Sequence, residues 1–155
     1  MGLKCLVTVT GQHQGQFKNE SPTPAGKIIA FDFHYTVTSP RDLASGQAGG
    51  KRVHGPVTIH KEWGAATPQF FSALTTNELL PTVLLEFIKP GSEESFFTIT
   101  LTNATIYGLR QYVMPARPGS TDGEKFAEQL DFTFHTITMT HNAGQTTATD
   151  SWVAA

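Results

Sequence analysis

The sequence contains a single cysteine, Cys5, among 155 residues. One thiol excludes a disulfide within the chain and a zinc site built from cysteine pairs. Charged residues are also scarce, at 15% of the chain against about 25% in an average soluble domain. The net charge is -2. Because a protein that grips nucleic acid needs a basic face, this balance argues against nucleic acid as a partner.

Long apolar runs are missing as well. The opening residues, MGLKCLVTVTG, lack the apolar core of a signal peptide. No stretch approaches the length of a membrane-spanning helix. We therefore expect a chain that is made in the cytoplasm without a cleaved signal peptide and that does not insert into a membrane. Its length suits one domain over residues 1–155.

Apolar and polar residues alternate in many segments of the sequence. In KIIAFDFHYTVTS, residues 27–39, the odd positions from Ile29 to Val37 are apolar, which predicts one half-buried strand. In two long segments, starting at Ser95 and at Glu124, the alternation changes parity partway, as a bulge or bend would cause. Long bent strands predict a mainly β fold, a small closed or nearly closed antiparallel β-barrel.

One helix is expected at about residues 67–79. Thr67 is placed to cap it, Pro68 fits its first position, and Pro81 would end it. One apolar stripe along this helix would be formed by Phe70, Phe71 and Leu74.

A long extended loop is expected at about residues 38–56, TSPRDLASGQAGGKRVHGP. Structureless loops beyond ~12–15 residues are uncommon and are usually functional or disordered. The Gly50-Lys51 pair resembles part of a phosphate-binding loop, but Ser45 and Arg52 stand where that motif needs Gly and Ser or Thr. The next segment also reads as a strand, so no helix N-terminus follows to receive a phosphate. A flexible basic loop is the better interpretation.

Catalytic and metal-binding patterns are not found in the sequence. The six histidines have no compact ligand spacing, so we expect surface or interface histidines and no metal. Cys5 lies on the apolar face of the first predicted strand, where a buried, inert thiol is expected. We expect Asp122, Glu124 and Glu128 in an exposed turn and strand start. Together these features predict a protein without enzymatic activity and without a cofactor.

Three segments carry a resemblance to a known family: SGQAGGKRVHGPVTIHKEW at 45–63, TPQFFSALTTNELLP at 67–81 and LTNATIYGLRQY at 101–112. They resemble the haemolysin-coregulated proteins, the tube subunits of type VI secretion systems. The closing segments FHTITMTH and ATDSW are similar to that family, as are the early residues Gly11, Gln14, Gly15, Phe17, Lys18, Glu20 and Ser21. The chain departs from frequent family residues at Asn19, Met139 and Ser151.

This resemblance implies a barrel with one helix, assembled as a hexameric ring. Rings would stack into a tube inside a contractile sheath, with a spike protein at the tip and small effector proteins in the lumen. The chain would leave the cell through the secretion machine. In the family the long loop reaches onto a neighbouring subunit, which makes interface residues of Arg41, Asp42, Gly46, Gly49, Gly50, Lys51, Arg52 and His54.

A second hypothesis stays open beside the tube subunit. The chain could be a monomeric β-sandwich that binds a ligand such as a glycan, with the 38–56 loop as its binding site. Its mass in solution would distinguish the two, because a hexamer has six times the mass of a monomer.

Overall fold

The computed structural model of the protein describes residues 4–18, 27–115 and 125–152. Asp122 and Glu124, for which the sequence predicts an exposed turn, lie outside them. In the described residues the chain forms one helix, α1 (Thr67–Thr76), and the strands β1 (Lys4–Gly11), β2 (Gly15–Gln16), β3 (Ile28–Ala30), β4 (Asp32–His34), β5 (Val37–Thr38), β6 (Val53–His54), β7 (Val57–Glu62), β8 (Leu80–Ile88), β9 (Ser95–Met114), β10 (Lys125–Thr133), β11 (Thr136–His141) and β12 (Thr146–Ser151).

The main sheet is antiparallel, with the strand order β2-β1-β8-β9-β10-β7-β4. Strand β3 also pairs with β1, and β11 joins β9 to β12. A mainly β fold with one helix is confirmed, but the predicted closed or nearly closed barrel is not, because the hydrogen-bonded order ends at β2 and β4. The short strands β3 and β4 lie at opposite ends of this order and are separated by a bend at Phe31, whose N–H donates to the His60 carbonyl at 2.9 Å.

The bend at Phe31 overturns the prediction of one strand over residues 27–39. Ile28 and Ala30 are buried, whereas Ile29 is 41% exposed and Phe31 is 52% exposed. Beyond the bend the inward parity reverses, and Phe33 packs against the core. A single strand was expected because the odd positions from Ile29 to Val37 are all apolar.

Strand β9 is 20 residues long and contains the predicted change of parity. Asn103, where the predicted parity change falls, adopts a left-handed conformation with φ 51°. The register with β10 shifts farther along β9, since Phe132 pairs with Ile106 and Asp131 with Gly108, and this places the bulge at Tyr107. The second predicted parity change is instead a break between two strands, since β10 ends at Thr133 and β11 begins at Thr136.

Helix α1 is shorter than predicted and is capped differently. Its N-cap is Ala66, and the Thr67 hydroxyl instead accepts a hydrogen bond from the Gly64 N–H at 2.9 Å. Asn77, in a left-handed conformation, ends the helix before Pro81, which lies within β8. Phe71 was expected on the buried stripe but is 57% exposed.

Among the residues that the structure describes, the core is apolar except for four buried polar side chains, His54, Lys61, Glu78 and Glu128. Glu128 is fully buried, so the prediction of an exposed strand start is wrong for this residue. Among the described residues, no helix has the length and apolarity that crossing a membrane requires.

Candidate functional site

The predicted loop at 38–56 is a hairpin that projects from the sheet. We call residues 37–54 the arm. At its base, Val37 pairs with His54 in a short antiparallel ladder. Farther out, the Gly49 N–H donates to the Pro40 carbonyl at 2.7 Å, and Arg41 forms an isolated bridge with Ala48. The arm is therefore an ordered projection held by its own backbone hydrogen bonds.

Asp42 organises the tip of the arm. Its carboxylate accepts hydrogen bonds from the Ala44 N–H and the Ser45 hydroxyl, both at 3.0 Å. The Ala44 N–H, followed by the Ser45 hydroxyl, lowers the pKa of this carboxyl below its ordinary value. The Gly46 N–H donates to the Asp42 carbonyl at 2.6 Å and closes the turn. Glycine suits this position because its φ of +74° is a left-handed conformation that residues with a side chain rarely adopt.

The outer part of the arm is fully accessible. Every residue from 36 to 51 is exposed. Leu43 is 101% exposed, so its side chain has no cover from its own chain. The basic side chains of Arg41 and Lys51 are exposed on the same projection. The outer arm thus carries one uncovered apolar side chain together with charges of both signs, from Arg41, Asp42 and Lys51.

The base of the arm is fixed to strand β12 through Asp150. The Arg52 guanidinium contacts both carboxylate oxygens of Asp150, through Nε to Oδ2 and through Nη2 to Oδ1 at 2.5 Å. His54 Nε2 lies 2.7 Å from Oδ2 of the same carboxylate. Hydrogen bonding from Arg52, and then from His54, keeps the pKa of Asp150 far below its ordinary 3.8. Arg52 and His54 therefore contact the C-terminal strand of their own chain.

Aromatic rings enclose His54, whose side chain is 1% exposed. His54 is therefore not a surface histidine, and its predicted place at a subunit interface stays a prediction. Its ring stacks on Tyr35 and on Trp152, with centroids 6.2 and 5.9 Å away. Because Nε2 faces a carboxylate and Nδ1 lies 2.6 Å from the Tyr35 hydroxyl, the neutral ring with its proton on Nε2 satisfies both partners. Burial, and then the charge of Asp150, raises the pKa of Tyr35.

The eight predicted interface residues fall into two groups. Six lie on the exposed outer part of the arm: Arg41, Asp42, Gly46, Gly49, Gly50 and Lys51. Arg52 and His54 form the anchor at its base. Sequence reasoning missed Asp150, Tyr35 and Trp152, which complete that anchor. Asp150 is 98 residues from Arg52 in the chain, so no local pattern relates them.

A second polar cluster fixes α1 to the turn after β1. The Glu78 carboxylate accepts hydrogen bonds from the backbone N–H groups of His13 and Gln14, at 3.0 and 2.9 Å. Burial raises the pKa of Glu78, but these N–H groups outweigh it and the pKa is lowered overall. The Gln14 side chain also donates to the Gln69 carbonyl at 3.0 Å. This cluster gives a structural role to part of the family-like segment at 11–18.

The thiol of Cys5 is buried. Its burial was expected from the sequence, and it raises the pKa of this thiol to about 12. In the ranges 4–18, 27–115 and 125–152, no three His, Cys, Asp or Glu side chains are grouped to hold a metal.

Comparisons with known proteins agree on one family. Residues 8–141 match the family model described as "Type VI secretion system effector, Hcp". The chain is 32% identical over 129 residues to the "Major exported protein" of Pseudomonas aeruginosa PAO1, a match that covers 81% of this chain and 75% of that protein.

Solved structures share the fold. A crystal structure of an Hcp protein superposes with a TM-score of 0.84 at 25% identity and covers 96% of this chain and 99% of that one. The secreted protein Hcp3 of Pseudomonas aeruginosa superposes with a TM-score of 0.79 at 23% identity over 99% of this chain and 100% of that one.

Proposed function

Because the chain belongs to the haemolysin-coregulated protein family of type VI secretion systems, we propose that it is a ring-forming subunit of the inner tube. In this proposal six copies close into a ring, and the rings stack. The observation that carries it is the arm, an ordered hairpin with an uncovered apolar tip.

The arm has the physical properties of an assembly element. Ordering a backbone costs roughly 1–2 kcal/mol per residue, and the outer arm offsets this cost with few contacts of its own. Contacts with a neighbouring subunit would offset the rest. The rigid anchor at Asp150 supports this role, because it holds the base of the arm in one direction against the sheet.

A head-to-tail ring also suits the rest of the fold. Such a contact uses two different patches on each subunit and closes when the rotation between subunits allows it. Strand β12 pairs with β11 alone in the described sheet, so its other edge is available for a neighbour to cover.

The proposal extends to the partners and the route of the protein. Stacked rings would carry a spike protein at the tip, lie inside a contractile sheath and hold small effector proteins in the lumen. The chain would be made in the cytoplasm and exported through the machine without a cleaved signal peptide. It would perform no catalytic step.

Solution mass tests the proposal directly. Light scattering coupled to size exclusion should give six times the subunit mass of 16.8 kDa. Deleting Gly46–Gly50 should abolish rings while the β-rich circular dichroism persists. A monomer at tens of micromolar would contradict the ring and favour the monomeric binding module. Loss of the β signal in the deletion variant would instead show that the arm is part of the core.

A further inference from the structure

One histidine on the outward face of the sheet has a buried ring nitrogen without a hydrogen-bond partner. It is Nδ1 of His60, on β7, the one such side-chain atom that we find in the described part of the chain. This nitrogen lies 3.3 Å from Oδ2 of Asp32 on β4, but not in hydrogen-bonding alignment. We propose that His60 is a pH-sensitive switch, whose Nδ1 takes up a proton as the pH falls and then fastens β4 to β7 through Asp32.

The neighbours of His60 on β10 fix which ring nitrogen carries the proton in the neutral form. Gln129 Nε2 lies 3.4 Å from each carboxylate oxygen of Asp131 and donates to them. Turning this amide round would set its oxygen against the carboxylate, so its orientation is fixed. Its Oε1 then faces His60 Nε2 at 3.2 Å. Because an amide oxygen only accepts, Nε2 carries the proton of the neutral ring and Nδ1 carries none.

In the neutral form, two acceptors therefore face each other between β7 and β4. A buried polar atom without a partner costs free energy, and a proton on Nδ1 would replace that cost with a charge-assisted hydrogen bond to Asp32. The Asp32 side chain is 44% exposed and has room to complete the alignment. Its Oδ1 already accepts from the Phe33 N–H at 2.8 Å. Histidine is the side chain that ordinarily changes its charge between about pH 8 and pH 5.

The charged side chains that share this face with His60 are mostly acidic. Asp32 is opposite His60 in the register of β4 and β7, and Asp131 and Glu62 lie in the neighbouring rows. Arg110 on β9 supplies an opposing positive charge, and Gln129 stands between it and His60. The nearby charges therefore favour a positive ring.

Other rings surround the imidazole of His60. The ring centres of Phe31 and Tyr112 lie 6.2 and 6.5 Å from it, and its side chain is 18% exposed. Such cover disfavours a charge, so the proton depends on Asp32 beside it. His34, whose ring centre is 6.3 Å away, is the second histidine in contact with Asp32. Its side chain is 68% exposed, and solvent screens its charge.

Strand β4 is the element that the switch would control. It spans Asp32–His34, stands at one end of the main sheet and pairs with β7 alone in the described sheet. Because its backbone ladder is short, a side-chain bond across the Asp32–His60 pair should decide how often β4 opens. Acid should hold this edge of the sheet more firmly than neutral or alkaline solution. The inference concerns the subunit itself and does not depend on the proposed assembly.

Nuclear magnetic resonance of the histidine rings tests the proton. The full chain is labelled with isotopic nitrogen in its histidines, and the His60 signals are assigned by their loss in His60→Gln. Magic-angle spinning of sedimented protein suits a subunit or a larger assembly equally. We expect a neutral ring with its proton on Nε2 at about pH 8 and a ring protonated on both nitrogens at about pH 5. A proton on Nδ1 at the higher pH, or a neutral ring at the lower, would overturn the inference.

Amide hydrogen exchange, corrected for the intrinsic effect of pH, tests the hold on β4. A hydrogen bond to a charged group corresponds to roughly tenfold to hundredfold in an equilibrium constant. Opening of residues 32–34 in wild type should become rarer by about that factor between about pH 8 and pH 5. His60→Gln should abolish this pH effect, whereas the matched variant His34→Gln should keep it. Equal protection of wild type at both pH values, or loss of the effect in His34→Gln alone, would contradict a switch at His60.

Discussion

The amine of Lys61 lies 2.6 Å from Oε2 of Glu128 in an ion pair inside the fold. The two side chains are 1% and 0% exposed. The same amine donates to the Glu62 carbonyl at 2.7 Å, and the Thr67 hydroxyl donates to Oε2 at 2.9 Å. The pair thus joins β7 and β10 to the first turn of α1. It also explains why a lysine interrupts the apolar face of the sequence at 57–63.

Removing one partner of this pair should be strongly destabilising. Lys61→Met leaves the Glu128 carboxylate buried without its counter-charge, which typically costs about 3–5 kcal/mol. Urea denaturation at neutral pH measures the loss. As a matched control, Lys27→Met removes the partly exposed Lys27–Glu86 pair, and such pairs contribute only about 0–1 kcal/mol. Equal losses in the two variants would contradict the interior role of Lys61.

Gly11 should not tolerate a side chain. A Cβ at this position would collide with Oε2 of Glu78, the atom that accepts hydrogen bonds from His13 and Gln14. We expect Gly11→Ala to lower the free energy of unfolding by about 1–3 kcal/mol, as overpacking does. Gly50→Ala is the control, because a Cβ there meets no atom within 4 Å. A stable Gly11→Ala variant would show that the Glu78 cluster can shift without loss.

Much of the fold was predictable because its signals are local. Alternation identified most strands, and the parity change in β9 identified the irregular backbone at Asn103. The bend at Phe31 was not predictable, since it depends on the two neighbours that β3 and β4 meet in space, β1 and β7. The helix end was misjudged for a similar reason. Glu78 turns toward the β1 turn, so the chain leaves the helix at Asn77 and not at Pro81.

The candidate functional site was likewise predictable from the sequence only where its signals are local. The arm could be found from its glycines and its length, which are properties of one segment. Its anchor could not, because Arg52 and His54 meet Asp150 only once β12 has folded beside β11.

Acid should weaken the fold through Glu78. A carboxyl group whose pKa is lower in the folded chain stabilises the fold above its unfolded pKa, and this contribution is lost as the pH falls through the folded pKa. The pKa of Glu78 is lowered from 4.5. The free energy of unfolding should therefore fall as the pH drops below about 4.5, and Glu78→Gln should reduce that pH dependence.

Urea titrations at several pH values between 7 and 3 check this expectation. The exposed Glu93 supplies the control, since Glu93→Gln should keep the slope of wild type. Parallel pH profiles for Glu78→Gln and wild type would show that other carboxyl groups cause the acid loss.

Lys51 and Arg52 are adjacent, but replacing each with Glu should have different effects on the protein. Lys51 is exposed on the arm, so Lys51→Glu should leave the subunit intact and act only on assembly. Arg52→Glu removes the guanidinium that pairs with Asp150. The new carboxylate and that of Asp150 would repel each other beside the buried His54. The base of the arm should then open. Amide hydrogen exchange at Val53 and His54, which pair with Thr38 and Val37, should speed up in this variant and stay slow in Lys51→Glu.

Asp150→Asn distinguishes the effect of the anchor from the effect of charge on the arm. Asp150→Asn keeps the outer arm unchanged but removes the carboxylate that Arg52 and His54 share. If the anchor sets the direction of the arm, Asp150→Asn should speed exchange at His54 and impair ring formation as Arg52→Glu does. Slow exchange in both variants would mean that the stacking of His54 between Tyr35 and Trp152 holds the base without the ion pair.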